Sequence, residues 1–267
     1  MPWPFSIVAQ RSARRRRISA TSCPDCRQIK HVLQMYVICS ILVQPLRTEV
    51  LRDHVSEQAM EFPDFFSEAP TITLRDPLAA FLGLSKNGVM SYAYADAVKL
   101  AGHSCPIVAG AYLMVRCGLS RLYGDELPER GNVKVYLRAA RDEGTTGVIA
   151  AVATLLTGAA PETGFTGIGA SHRFTRRDLL RFDAAFEGIM ALQRNDNGQG
   201  VILDLDMAVV PFAPEMQALL PRVMTEQADG DEQERFAALW QARVEQMLIR
   251  HADDPALIRV CEWKAAA

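Results

Sequence analysis

The chain contains the pentapeptide GHSCP at residues 102–106, directly before an apolar segment rich in small residues. Pro106 suits the first position of a helix, because the N–H group that proline lacks would have no partner there. Residues 106–123 are apolar on nearly every face, so they predict a long helix that is buried on most sides and closely approached by a neighbouring backbone. Cys105 is therefore predicted at the N-cap of this helix.

The same pentapeptide holds the two side chains best suited to chemistry. A thiol at a helix N-terminus lies at the positive end of the helix dipole, which favours the thiolate that binds metals and attacks electrophiles. His103 lies two residues earlier on an irregular segment and can bring a ring nitrogen to the same point; nitrogen together with sulfur suits zinc. His103 and Cys105 are therefore candidate catalytic and metal-binding residues. The alternative is that both are packed and satisfied, since free cysteine is among the most buried residue types.

Capping and periodicity signals predict further helices on both sides of this segment. Residues 76–83 begin with an N-cap acid and a proline, which predicts a short helix. Residues 145–156 predict a second helix rich in small residues, and two acidic amphipathic helices are predicted beyond Pro211. Residues 89–94 fit either a strand or the start of a helix that runs to Leu100.

Strand signals occur between these helices. Residues 133–137 alternate apolar and polar side chains with the period of two that is typical of a half-buried strand. Residues 189–192 and 201–209 flank the turn sequence NDNG at 195–198, which predicts a β-hairpin. Helices combined with a strand and an antiparallel hairpin predict an α+β fold.

A group of arginines follows a glycine-rich loop. Thr175 and Asp178 have capping-box spacing and predict a third helix over residues 175–182. Guanidinium groups at a helix N-terminus can hold a carboxylate or a phosphate, so Arg173 and Arg176 are candidate substrate-binding residues. The alternative is a solvated helix face. The full group is Arg173, Arg176, Arg177 and Arg181.

Composition excludes several classes of protein. The 267 residues are 49% hydrophobic and 22% charged with a net charge of -2, which describes a globular chain with ample core. This balance lacks the basic footprint of a nucleic-acid-binding protein. The apolar runs, such as residues 37–43, are far shorter than the ~20 residues of a membrane-spanning helix. Six cysteines without a disulfide framework predict reduced thiols and a cytoplasmic location.

The first 59 residues differ in texture from the rest of the chain. An arginine cluster and a short apolar segment fit a targeting peptide, although no small-residue cleavage site follows. The favoured alternative is that translation begins at Met35 or Met60. We therefore expect residues 1–59 to be a poorly ordered extension that precedes the folded core.

The pentapeptide and its continuation Gly110-Ala111-Tyr112 resemble the G-H-x-C-P-G-x-x-x-G-Y-R opening of the FmdE family, which is named after a component of formylmethanofuran dehydrogenase. The predicted order of helix, strand, helix and hairpin over residues 76–210 also looks like that family's α+β core. The resemblance implies an FmdE-like core over residues 60–213, followed by a helical extension over 214–267. It also implies a cleft associated with zinc or another divalent transition metal, in which His103 and Cys105 take part.

The chain departs from that family at several positions. Threonine and alanine stand where the family has cysteines beside the second core helix, Leu113 replaces an arginine, and the C-terminal tail holds only Cys261. A site built from several thiolates is therefore not expected. A third metal ligand has to come from other donors, and the candidates are His172 and Glu143.

Three functions are consistent with these residues. The first is a metal-dependent enzyme or accessory subunit that acts on a small organic molecule, with the metal polarising substrate or water. The second is metal-free thiol chemistry, with Cys105 as nucleophile and His103 as base. The third is a ligand-binding or assembly protein that forms a homodimer through its core or its C-terminal helices. Neither a nucleic acid nor a membrane is an expected partner.

Overall fold

The structure is a computed structural model that describes residues 61–263. The chain from Phe62 onward forms one compact unit. The predictions for residues 1–59, a targeting peptide or a later translation start, lie outside the described residues.

Helices and strands are mixed along the described chain, which confirms the α+β class. The helices are α1 (Phe65–Glu68), α2 (Pro77–Phe81), α3 (Tyr94–Ala101), α4 (Pro106–Tyr123), α5 (Thr146–Thr157), α6 (Pro214–Met224) and α7 (Gly230–Glu245). The strands are β1 (Ile72–Arg75), β2 (Val89–Tyr92), β3 (Val133–Leu137), β4 (Leu180–Arg181), β5 (Met190–Arg194), β6 (Gly200–Leu205) and β7 (Ile258–Trp263). Across residues 61–263, every helix is too short or too polar to cross a membrane.

Two sheets organise the unit. β1 and β2 form an antiparallel pair, and α3 follows β2 directly, so both alternatives left open for residues 89–100 are partly correct. The larger sheet has the order β4-β3-β5-β6-β7, in which β3 and β4 are parallel and the other neighbours are antiparallel. β5 and β6 confirm the predicted hairpin.

α4 packs against the larger sheet and forms the centre of the core. The close approach depends on two of its glycines. A Cβ atom at Gly118 would lie 2.7 Å from Leu192 Cδ1 and 2.9 Å from Leu203 Cδ1, and one at Gly110 would lie 2.4 Å from Leu205 Cδ2. Small residues in this helix therefore allow a close approach, as predicted, but the atoms that come closest are leucine side chains of the sheet and not a backbone.

The helix predicted over residues 175–182 is absent from the structure. Asp178 has φ 60°, a left-handed conformation that interrupts a right-handed helix. The backbone N–H groups of Leu179 and Leu180 both donate to Ala160 O, and Leu180 begins β4 beside β3. The conformation of this segment is therefore determined by hydrogen bonds to distant residues and not by the local capping signal.

The C-terminal segment is part of the same unit. Its two predicted helices are confirmed as α6 and α7, and α7 continues into a π-helical turn over Gln246–Arg250. Met247 and Leu248 in that turn are buried in the main core. β7 then pairs with β6 along six residues, a strand that the predicted helical extension did not include. No domain boundary follows residue 213 in the described chain.

Candidate functional site

Cys105 lies where the sequence predicts it. It is the N-cap residue of α4, and Pro106 is the first residue of the helix. The thiol is buried, and its Sγ accepts a hydrogen bond from the backbone N–H of Val108 over 3.5 Å. The sulfur therefore caps one of the helix N–H groups that would otherwise have no partner.

His103 is exposed and engages the backbone of the preceding helix. Its Nδ1 lies 3.0 Å from the carbonyl oxygen of Ala101, at the end of α3. Ser104, between the two candidate residues, accepts hydrogen bonds at its carbonyl oxygen from Trp240 Nε1 (3.1 Å) and Gln241 Nε2 (3.3 Å) of α7. The hydrogen bonds of His103 and Cys105 thus go to backbone groups and not to each other.

The two further candidate ligands each form a hydrogen bond to a backbone group of the loop in which they lie. His172 Nδ1 lies 3.0 Å from Thr166 O, and Glu143 Oε2 accepts a hydrogen bond from Ala140 N over 3.3 Å. In the part of the chain from 61 to 263, no three His, Cys, Asp or Glu side chains are grouped so that they could hold a metal ion. The donor set for zinc is therefore incomplete in this arrangement.

Arg173 and Arg176 belong to a different site, an open cleft of about 770 Å³. It receives residues from α2, from the loop after α4 and from the segment after the glycine-rich loop. We call it the arginine cleft and define it by six of the residues that line it: Arg75, Arg130, Arg173, Arg176, Phe81 and Phe174.

Asp76 positions two of these arginines. It is buried, its Oδ2 accepts from Arg130 Nη1 over 3.0 Å, and its Oδ1 accepts from Arg176 Nη2 over 2.6 Å. Oδ1 also accepts from the backbone N–H groups of Leu78 (2.9 Å) and Ala79 (3.3 Å), which confirms the predicted N-cap of α2. One carboxylate therefore caps a helix and orients two guanidinium groups.

Each guanidinium is fixed from a second side as well. Arg130 donates from Nε and Nη2 to Leu155 O, at the end of α5, and Arg176 donates from Nη1 to Arg130 O. Arg176 Nη1 fills the place of a side chain at Gly131, where a Cβ atom would lie only 1.0 Å from that nitrogen. Because a guanidinium has more N–H donors than these bonds use, both arginines keep donors for another acceptor.

The cleft carries an excess of positive charge. Its four arginines face two carboxylates, that of Glu129, which pairs with Arg75 over 2.7 Å, and that of the buried Asp76. Arg173 forms no ion pair with any carboxylate in residues 61–263. Two positive charges therefore remain without a counterion at this place.

Arg176 is the most deeply placed of the four. Its side chain is 9% exposed, and its Nε is enclosed with no hydrogen-bond acceptor in the described chain. Burial lowers the pKa of Arg176, and the neighbouring Asp76 carboxylate opposes that effect. A guanidinium stays charged even so, because its ordinary pKa is above about 12. Burying an incompletely paired cation is unfavourable. The hydrogen bonds of Arg176 to Asp76 and to Arg130 O offset part of that cost.

Part of this site was not predicted from the sequence. Arg75 and Arg130 were not among the candidate residues, and Asp76 was predicted only as a helix cap. The available signals are weak: Arg75 precedes Asp76 in the sequence, and Arg130 stands directly before a glycine. Of the other arginines in the predicted group, Arg177 and Arg181 lie outside the cleft.

No protein-family model matches this sequence, and no curated protein is significantly similar to it. The FmdE resemblance of residues 102–112 therefore stays a prediction. The functional conclusion has to come from the geometry of the cleft.

Proposed function

We propose that the protein binds a small organic anion in the arginine cleft. The observation that carries this proposal is the convergence of four arginines on one open cavity in which only two carboxylates balance them. Carboxylates and phosphates are the ligands whose oxygen geometry matches the planar fork of a guanidinium. The proposal keeps Arg173 and Arg176 as substrate-binding residues and adds Arg130.

Pre-organisation supports binding at this place. Arg130 and Arg176 are already held by Asp76, Leu155 O and the backbone at Arg130, so little side-chain entropy remains to be lost when a ligand arrives. Arg173 is exposed at the mouth of the cleft and lacks a carboxylate partner in residues 61–263. It is the residue best placed to complete the contacts from the solvent side.

Calorimetric titration of the full chain with methyl phosphate at pH 8 and low ionic strength tests this proposal. Arg173→Gln removes a cleft cation without breaking an ion pair, and Arg181→Gln removes an arginine from the same segment outside the cleft. We expect Arg173→Gln to weaken binding about tenfold to a hundredfold, since a charge-assisted hydrogen bond contributes about 1.5–3 kcal/mol. Arg181→Gln should bind like wild type.

Two results would contradict the proposal. One is the absence of saturable binding by the wild-type chain at millimolar methyl phosphate. The other is equal weakening by Arg173→Gln and Arg181→Gln, which would indicate non-specific attraction to the net charge and not a site.

A second candidate function is the metal-dependent or thiol chemistry predicted for His103 and Cys105 by the FmdE resemblance. One observation favours it: Cys105 is the N-cap residue of the long α4, the position that the sequence predicts for it. Elemental analysis of the wild type beside His103→Ala and Cys105→Ser tests it. Stoichiometric zinc that both substitutions remove would support the metal site. A metal-free wild type would contradict the metal site. If the wild type and Cys105→Ser also react equally with an electrophile such as iodoacetamide, the thiol chemistry is contradicted as well.

We also propose that the protein is cytoplasmic and that it forms a homodimer through its core or its C-terminal helices. The mass of the full chain in solution, measured by light scattering, tests the dimer. Deleting residues 214–267 is not a suitable test, because it also removes β7 from the sheet.

A further inference from the structure

The arginine cleft has an aromatic wall beside its cations. Phe81 at the end of α2 and Phe174 both line it, with ring centroids 5.3 Å apart and planes inclined by 41°. Phe81 is 55% exposed, an unusual exposure for a large aromatic side chain. Pro77 and Ala80 continue the same apolar side of the cleft.

The backbone of Phe174 is in a strained, left-handed conformation. Its φ is 65°, in the left-handed region that bulky side chains rarely adopt. The conformation is maintained by its neighbours, since Arg173 and Ile168 exchange two backbone hydrogen bonds of 2.8 and 3.1 Å and Arg176 N donates to Phe165 O over 2.8 Å. Strain of this kind, where surrounding structure imposes it, is concentrated at functional sites.

Arg173 joins the aromatic wall to the cationic part of the cleft. Its guanidinium carbon lies 4.4 Å from the ring centroid of Phe174 and 5.6 Å from that of Phe81, which is within cation–π distance of both rings. A ligand that reaches the arginines therefore passes next to the exposed ring of Phe81 and the half-buried ring of Phe174. A ring on such a ligand can stack there, while a purely polar ligand leaves those rings in contact with water.

We propose that the anion bound in the arginine cleft carries an aromatic ring, and that its charged group is a dianion of the phosphate monoester class. The ring lies against Phe81 and Phe174, and the phosphate oxygens accept hydrogen bonds from Arg130, Arg173 and Arg176. A dianion matches the two cations that the carboxylates of the site leave unbalanced. This inference rests on the proposed function, because it specifies the ligand of the same cleft.

A comparison of phenyl phosphate with methyl phosphate tests the aromatic part separately. Both esters are dianions at pH 8, since the second pKa of a phosphate monoester is about 6. Calorimetric titration of the full wild-type chain should give an affinity about tenfold higher for phenyl phosphate, the effect expected of one stacked ring. If methyl phosphate binds and phenyl phosphate binds no more tightly, this inference is wrong and the proposed function stands. If neither ester binds, both are wrong.

Two substitutions locate the effect on the aromatic wall. Phe81→Ser should reduce the preference for phenyl phosphate over methyl phosphate to less than about threefold. Leu84→Ser is the matched control, because Leu84 is also exposed and lies outside the cleft. Phe174→Leu, which keeps apolar bulk and removes the aromatic face, should also reduce the preference. A preference that persists in both phenylalanine variants would contradict the assignment.

Discussion

Asp76 and Arg176 are 100 residues apart in the sequence, and their side chains meet in a hydrogen bond of 2.6 Å from Nη2 to Oδ1. The contact joins the N-terminus of α2 to the segment before β4. Because the same carboxylate also holds Arg130, three distant parts of the chain converge on one buried charge. The arginine cleft is therefore a product of the tertiary fold and not of a local motif.

Replacing Asp76 by asparagine should destabilise the protein strongly. Asparagine is as good an N-cap as aspartate, so α2 keeps its cap while Arg130 and Arg176 lose the charge that compensates them. Breaking a buried ion pair on one side costs about 3–5 kcal/mol of unfolding free energy. Urea unfolding of Asp76→Asn measures this. Asp229→Asn, at the exposed N-cap of α7, is the control and should remain near wild type.

Equal unfolding midpoints for the two asparagine variants would show that Asp76 acts only as a cap. A loss confined to methyl phosphate binding, with stability unchanged, would also contradict the expectation that its two arginines are buried and paired.

Gly131→Ala should abolish binding in the arginine cleft. The new methyl group would occupy the place of Arg176 Nη1, so the guanidinium has to leave its position beside Asp76. Gly198→Ala is a matched control, because Gly198 also has a positive φ, 73°, but has open space around the missing Cβ. Gly198→Ala should lose about 1–2 kcal/mol of stability from the left-handed backbone. Gly131→Ala should lose more, because it also displaces Arg176 from the buried Asp76 carboxylate. Only Gly131→Ala should lose affinity for methyl phosphate in calorimetry.

Gly118→Ala should lower stability although alanine is the better helix former. Its Cβ would press on Leu192 and Leu203, both fully buried in the sheet, and overpacking of this kind costs about 1–3 kcal/mol. Gly147→Ala in α5 meets only one atom, at 4.0 Å, and should gain up to about 1 kcal/mol from helix propensity. Urea unfolding of the pair measures the difference. A stabilised Gly118→Ala variant would show that α4 and the sheet are loosely packed at this point.

The thiol of Cys117 should titrate at a higher pH in the folded chain than in the unfolded one. Burial raises its pKa, and the nearby Arg116 only partly offsets this. The thiolate fraction, and hence alkylation by iodoacetamide, should therefore rise with a midpoint above the ordinary value of about 8.5. Alkylation of the Cys117 peptide, followed by mass spectrometry as a function of pH, measures this. The same peptide in urea should return to the ordinary midpoint, and identical profiles would contradict the prediction.

The elements that were predicted correctly from the sequence are those whose conformation depends on residues close together in the chain. The Asp76 cap, the N-cap position of Cys105 and the β5–β6 hairpin all depend on residues within a few positions of one another, and each is confirmed. The helix predicted at Thr175 failed because hydrogen bonds to Ala160 and β3 replaced it. β7 was missed because its alternation is short: Ile258 and Val260 are more buried than Arg259 and Cys261, but the pattern stops at Glu262.

The part of the site that is formed by neighbouring residues was also predicted, and the part formed by distant residues was not. Arg173 and Arg176 form a visible local group, and the structure brings both into one cleft, although without the helix expected to present them. Arg130 lies 54 residues from Asp76, and no short pattern records that pairing. His103 and Cys105 lie two residues apart, yet their side chains turn to separate backbone partners because the end of α3 and the start of α4 each satisfy one of them.

The pairing of β7 with β6 has a consequence for how the protein is made. A ribosome adds about 5–20 residues per second, so β6 is complete for seconds before its final neighbour has been translated. During that interval the backbone of Gly200–Leu205 presents an unpaired edge, the kind of surface on which nascent chains aggregate. The risk of aggregation through this edge therefore lasts in each newly synthesised molecule until β7 emerges and pairs with β6.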